Sequence, residues 1–320
     1  MDFRSYDINN KIPLVTIGVL SFNYSKYLLE ALDSLLAQTY KNIELIIIDD
    51  CSTDNAVDII QTWIKQNKIH CVFIKNEYNQ GITRVSNKLV GIAKGKYINL
   101  FATDDIMLPR KIEEQVSKLE AAGEEYGMCY ANAQTIDENG SRLGFYINEE
   151  NVSLPEGDVL EQFVTNKMVF ATPVALIRMS TYKTCGLYDE RVLIEDYNFW
   201  LRFFACFKAC VCDYPSLIYR VKQHSGIFNE WNKNNKERYY HDRILSNHDA
   251  LKFINNPSVK NYLHNKINQY LNALSINQSP FTRRLIWYLI RNGYYKIPSK
   301  ILFREGMYCF SSRKKLAING

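Results

Sequence analysis

No stretch of this 320-residue sequence approaches the ~18 consecutive apolar residues that a membrane-spanning helix requires. The longest tight apolar blocks cover only 45–48 and 286–290. Residues 1–11 are polar, and the apolar run after them is interrupted by Pro13 and Thr16, so no secretory leader is expected and a cytoplasmic location is. Paired C-x-x-C units are also missing, which argues against zinc and predicts that the eight cysteines are buried reduced thiols. No G-x-G-x-x-G follows the first apolar run, which excludes the usual nicotinamide-binding turn. Nor is there a repeat period. A phosphoacceptor signalling domain, which needs a partner lysine at a later strand end, has no matching pattern.

What is present is an ordinary globular composition, 47% hydrophobic and 23% charged. Its net charge of +5 is unevenly placed. Residues 281–320 carry nine Lys/Arg against Glu305 alone, a local +8, while the first 280 residues sum to −3. A basic tail beside a near-neutral body points to a local anionic partner and away from a nucleic-acid surface.

Patterning divides the chain. Apolar runs at 14–20, 43–48, 71–74 and 97–101 alternate with helical spacing at 27–38, 57–65 and 82–93. Such alternation predicts βαβ units around a mostly parallel sheet, with ligands at the carboxyl ends of the strands. Beyond Asp105 the pattern is mixed. It reads as a helix over 109–122, strands at 127–131, 174–177, 209–212 and 217–220, and a hairpin around Asn139-Gly140. Helices are expected over 236–254, 259–275 and 281–291. The expected organisation is therefore a catalytic domain over 1–225, with halves 12–105 and 106–225, and a helical region over 226–320.

Two of the predicted strands end in adjacent acids: Asp49-Asp50, followed by Ser52 and Asp54, and Thr103-Asp104-Asp105. Paired acids are unfavourable unless solvated, hydrogen-bonded or metal-bound. Asp54 reads as a helix cap. Asp104 and Asp105 read as metal or ligand contacts, because a diphosphate approaches carboxylates only with a divalent cation between them.

Four segments carry a resemblance: 13–23 (PLVTIGVLSFN), 27–40 (YLLEALDSLLAQTY), 44–54 (ELIIIDDCSTD) and 95–105 (GKYINLFATDD). In this order and spacing, residues 13–119 resemble the donor half of glycosyltransferase family 2. The resemblance implies a GT-A fold, an α/β architecture with a Rossmann-like, mostly parallel sheet flanked by helices, here with a helical C-terminal extension. It also implies an inverting, metal-dependent transfer from a nucleotide sugar, with Thr103-Asp104-Asp105 as the Asp-x-Asp equivalent. By position, Ser21, Phe22 and Asn23 are expected at the nucleotide, Phe22 stacking on the base unless it is core. Asp49 is expected at the pyrimidine ring, which favours UDP. Asp104 is expected to hold ribose or sugar, and Asp105 to hold Mn2+ or Mg2+. Leu20 replaces the proline many relatives carry, and Ser86-Asn87 replaces an Arg-Asn pair. That leaves Arg84 as the diphosphate candidate, with a solvated surface arginine as the alternative.

Inverting transfer needs a carboxylate that takes the acceptor's proton. Glu195-Asp196 open an apolar helical pattern, where the helix N-terminus favours ionised acids, and ordinary capping is the alternative. The resemblance assigns the base to Asp196 and sugar contacts to Glu195. His224 is a candidate metal ligand, although a lone histidine is commonly structural. In 283–291 arginines alternate with aromatic and aliphatic residues, as in an interfacial helix or one packed on the protein. The expected acceptor is a glycan or lipid-linked oligosaccharide of bacterial surface polysaccharide synthesis, with the 281–320 tail on the inner membrane face. A catalytically silent, partner-binding relative is the competing reading.

Overall fold

The β-branched runs and amphipathic stretches of the first hundred residues become strands and helices in the expected alternation. The computed structural model describes residues 12–148, 154–222, 236–279 and 281–307. Within them the chain forms two units, one from 12–190 and 206–222, the other from 191–205 and 236–307.

The first unit begins β1 (Val15–Ser21), α1 (Ser25–Leu36), β2 (Ile43–Asp49), α2 (Ala56–Gln66), β3 (Val72–Lys75), α3 (Ile82–Ile92) and β4 (Tyr97–Ala102). β2 is buried on both faces, as an uninterrupted apolar strand inside a parallel sheet should be. α1 buries Leu28, Ala31, Leu32 and Leu35, one stripe at helical spacing, against that sheet. α3 lies so close to β1 that a Cβ on Gly18 would sit 2.3 Å from a Leu89 methyl, which explains the glycine inside a strand.

The unit continues with β5 (Ile106–Met107), α4 (Lys111–Ala122), β6 (Tyr126–Tyr130), β7 (Ala133–Ile136) and β8 (Arg142–Phe145). Then come α5 (Leu160–Val164), β9 (Leu176–Arg178), α6 (Thr181–Cys185), β10 (Lys208–Val211) and β11 (Leu217–Arg220). The main sheet has the order β10-β6-β9-β4-β1-β2-β3, and a second sheet the order β5-β11-β7-β8. β9 runs antiparallel to both β4 and β6, while β1 to β4 are parallel. The strand expected over 174–177 starts later, because Thr172–Val174 is a 3-10 turn with Pro173 lacking the ladder donor. β7 and β8 pair as the expected hairpin, with Gly140 at φ 88°. Cys129, Cys185, Cys210 and Cys212 are buried, and Cys51 and Cys71 are half-buried. Cys206 is exposed, contrary to the expectation for it.

The second unit holds α7 (Glu195–Phe204), α8 (Lys236–Ala250), α9 (Pro257–Ile276), α10 (Thr282–Arg291) and α11 (Ser299–Arg304). Asn256 caps α9 by accepting from the Ser258 and Val259 amides, with Pro257 in the first turn. The segment 191–205 belongs here although the sequence suggested a boundary near 225. Polar groups of α8 hold it: the Leu193 amide donates to Asp242 (2.8 Å), Tyr197 Oη to Asn247 (2.9 Å), and Arg191 pairs with Asp249. α8 thus buries Asp242, Ser246 and Asn247 beside Ile244 and Leu245, which is why its sequence lacks a clean apolar stripe. Among the described residues no helix is long and apolar enough to cross a membrane.

Candidate functional site at the strand ends

β1 lies between β2 and β4, so the chain reverses its winding direction at the β1–β4 boundary, and ligands of open α/β sheets bind outside such a point. Register aligns Ser21 with Asp49 and Leu20 with Ala102, bringing the exits of all three strands together. Both β1 and β2 leave the sheet through left-handed residues, Asn23 (φ 54°) and Cys51 (φ 65°). Backbone of that kind concentrates at functional sites.

The first acidic pair is spent on the fold. Asp49 is 0% exposed. Its Oδ2 accepts from Ser21 Oγ (2.9 Å) and Ser52 Oγ (2.6 Å), and its Oδ1 accepts from the Ser52 amide (2.9 Å). Asp50 Oδ1 accepts from Asn76 Nδ2 (2.8 Å) and the Gln80 amide (2.9 Å), and Oδ2 accepts from the Gly81 amide (2.8 Å). A pyrimidine N–H would be a fourth donor to a carboxylate that already accepts three. Every oxygen is already bonded, and its own loop closes it off. Asn23 stitches the same loops, accepting at Oδ1 from the Thr53 amide (2.8 Å), while its amide donates to Ser52 Oγ (3.0 Å). Asp54 bridges two helix starts, accepting from the Ser25 (2.9 Å) and Ala56 (3.1 Å) amides. Burial works to raise its carboxyl, but those hydrogen bonds outweigh it and hold it below its ordinary value. Phe22 is 41% exposed and Tyr24 38%, so Phe22 is not core packing.

The second pair is different. Asp105 is buried, its Oδ1 accepts from the Arg220 amide (3.1 Å), and its Oδ2 has no hydrogen-bond partner. Thr103 Oγ1 is likewise buried and unpartnered. Burial, with the Asp104 charge adding to it, pushes the Asp105 carboxyl well above the ordinary carboxylate range. A divalent cation fits this orphaned oxygen. Among the described residues no group of three or more His, Cys, Asp or Glu could hold a metal, so Asp105 would share an ion with ligand oxygens and not enclose it.

Two cations missed at the level of sequence flank the triplet. β5 follows Asp105 directly, and Ile106 pairs with Ile218 of the antiparallel β11, which carries the end of β11 past Asp104 and Asp105. Arg220 Nε donates to the Asp104 carbonyl (3.0 Å), and its guanidinium lies 4.3 Å from the Tyr27 ring centre and 2.6 Å from Glu30. Lys222 Nζ donates to Asp104 Oδ2 (2.7 Å) and sits 3.4 Å from the Tyr24 ring centre. The signal that could have found them is period-2 spacing of two basic residues at a strand's carboxyl end.

The remaining candidates have other partners. Arg84 Nε pairs with Glu190 at 2.9 Å on the surface, the solvated alternative for it. Glu195 and Asp196 lie in the second unit at the start of α7. Burial and the Asp196 charge push the Glu195 carboxyl up to about 8, and burial raises Asp196 against the pull of the Tyr197 amide and Arg243. At Glu195 burial thus opposes the ionised form that the helix N-terminus favours. His224 lies outside the described residues.

A parallel-rich sheet with two acids at its switch point defines an α/β protein that binds its ligand at the strand ends. Residues 16–184 match Glycosyl transferase family 2, and the chain belongs to that family. It is 30% identical over 232 residues to an uncharacterized glycosyltransferase of Methanocaldococcus jannaschii, covering 71% of this chain and 78% of that protein. It is 27% identical over 289 residues to one of Haemophilus influenzae, covering 82% and 84%. Among solved structures, S. aureus TarS 1–349 in complex with UDP-GlcNAc superposes with TM-score 0.63 at 15% identity, covering 90% of this chain and 82% of that one. Mannosyltransferase PcManGT from Pyrobaculum calidifontis, in complex with GDP-Man and Mn2+, gives 0.55 at 14%, covering 95% and 87%. These likenesses establish the GT-A fold.

Proposed function

We propose that the chain transfers a sugar, with inversion, from a nucleoside diphosphate sugar to a hydroxyl of a glycan acceptor. The buried, unpartnered Oδ2 of Asp105 carries this reading, because it fits a divalent cation, Mn2+ or Mg2+, shared with the donor's diphosphate. Bound there, such an ion neutralises the charge that grows on the leaving group. Lys222 adds a fixed positive charge beside Asp104, suited to phosphate oxygens as a point charge. Asp104 holds the ribose or sugar, and the exposed Phe22 and Tyr24 offer rings to the base.

Asp196 takes the proton from the acceptor hydroxyl as that oxygen bonds to the anomeric carbon and the bond to the diphosphate breaks. Its raised carboxyl suits a base, since the conjugate acid must form during the reaction. Glu195 contacts sugar hydroxyls. UDP is the first nucleotide to test, on the likeness to a structure that holds UDP-GlcNAc, and GDP is the second, on the one that holds GDP-Man. The acceptor class is a bacterial surface polysaccharide such as O-antigen or capsule.

A panel of nucleotide sugars with Mn2+, read by thermal stabilisation and donor consumption, tests this. At least one donor should stabilise the chain and be consumed. Asp196→Asn should keep that donor's affinity while turnover falls ~10²–10⁴-fold. Neither binding nor consumption with any donor would leave the silent, partner-binding reading. Turnover near wild type in Asp196→Asn would move the base role to Glu195.

A further inference from the structure

The apolar stripe of α10 is already used inside the second unit: Leu285, Ile286 and Leu289 are buried in its core. The helix therefore has no apolar face left to sink into a bilayer, and the interfacial reading of its sequence fails in that form. What faces solvent is another row. Arg283, Trp287 and Arg291 follow one another at i, i+4 and i+8, with Arg284 alongside, and all are exposed, Trp287 at 40%. α11 continues this surface with Phe303, 70% exposed, and Arg304. The two faces adjoin, since Arg283 and Arg304 line one depression and Arg283 Nε lies 3.5 Å from Glu305.

From residue 281 to 304 there are six Lys/Arg and no acid. Guanidinium groups around exposed aromatic rings match the chemistry of a phospholipid headgroup layer. Phosphates there meet arginines, and indole rings sit at the polar–apolar boundary. We propose that the outer faces of α10 and α11 dock flat on an anionic phospholipid surface, with Arg284 and Arg291 on phosphates and Trp287 and Phe303 at headgroup depth. The core keeps the apolar stripe, so docking is peripheral, electrostatic and reversible. The inference goes beyond the transfer reading and does not depend on it.

The test is co-sedimentation of the full chain with vesicles of phosphatidylglycerol and phosphatidylcholine in equal parts, and of phosphatidylcholine alone. The expected result is binding to the anionic vesicles only, weakened by added salt. The double variant Arg284→Glu/Arg291→Glu should bind at least about tenfold more weakly, since each basic residue near such a surface contributes about 1 kcal/mol. Neither arginine is buried, so the variant's melting temperature should match wild type. Trp287→Ala should also bind more weakly, and a fluorescence blue shift on vesicle addition should vanish in Trp287→Phe. Equal binding to neutral vesicles, no binding to either, or an unaffected double variant would overturn the proposal. So would binding to duplex DNA that outcompetes the anionic vesicles, because the basic face would then be reading a nucleic-acid backbone.

Discussion

Asp49-Asp50 and Asp104-Asp105 are the same motif twice, two acids at the carboxyl end of a buried parallel strand, and their fates diverge. Around the first pair every carboxylate oxygen accepts a hydrogen bond from Ser21, Ser52, Asn76, Gln80 or Gly81, so the charge is consumed in tying the exits of β1, β2 and β3 together. Around the second, Asp104 has Lys222, and Asp105 keeps one buried oxygen with nothing to accept from. A buried acceptor without a donor is destabilising, and its persistence at a ligand-binding strand end is the mark of a group held for something else. Acid content alone does not distinguish a binding site from a brace. Satisfaction does.

The contrast can be broken from either side. Asp49→Ala should be the most destabilising change among these acids, by about 2–4 kcal/mol in urea unfolding, because it strands the buried Ser21 donor and the half-buried Ser52 donors. A smaller loss than that of an exposed acid such as Glu77 would show that the first pair is not a brace. Lys222→Met sharpens the other side. UDP affinity measured without metal should fall about tenfold, the equivalent of one charge-assisted contact, while Mn2+ affinity rises as the site loses a positive charge. Unchanged affinity for both would remove Lys222 from the site.

Glu195 extends the comparison to a third acidic pair with a smaller effect. Its carboxyl is held at about 8 against an ordinary 4.5, so the folded chain keeps a proton that the unfolded chain releases. That stabilisation is complete below about pH 4.5 and is lost as pH rises to about 8. Melting temperatures across this window should fall less steeply in Glu195→Gln than in wild type. Parallel curves would show that Glu195 is ionised like a surface acid.

Most of the first unit was legible in the residues. The alternation from Val15 to Ala102 reports periodicities of 2 and 3.6 directly, and the β7–β8 hairpin is announced by Asn139-Gly140. The insertion of antiparallel β9 between β4 and β6 was not, because strand order depends on pairing between residues some eighty positions apart. In the site, Asp105 was readable as a strand-end acid, but the enclosure of Asp49 was not, since sequence does not say which loop folds back on a carboxylate. Arg220 and Lys222 escaped for the same reason. Only the antiparallel match of β5 with β11 brings them to Asp104. The polar helix α8 carries no stripe because its buried face bonds to the 191–197 segment.

The most direct test of the divergence is UDP binding by isothermal titration, with Mn2+ and with a chelator, in wild type and in Asp105→Ala. Wild type should bind UDP far more tightly with Mn2+, and Asp105→Ala should lose that gain, by at least about a hundredfold for a direct ligand. Meanwhile its melting temperature without metal should rise, since a buried carboxyl with an unpartnered oxygen is gone. A full Mn2+ gain in Asp105→Ala would contradict the assignment, and the orphaned oxygen at the exit of β4 would then have no part in holding the donor.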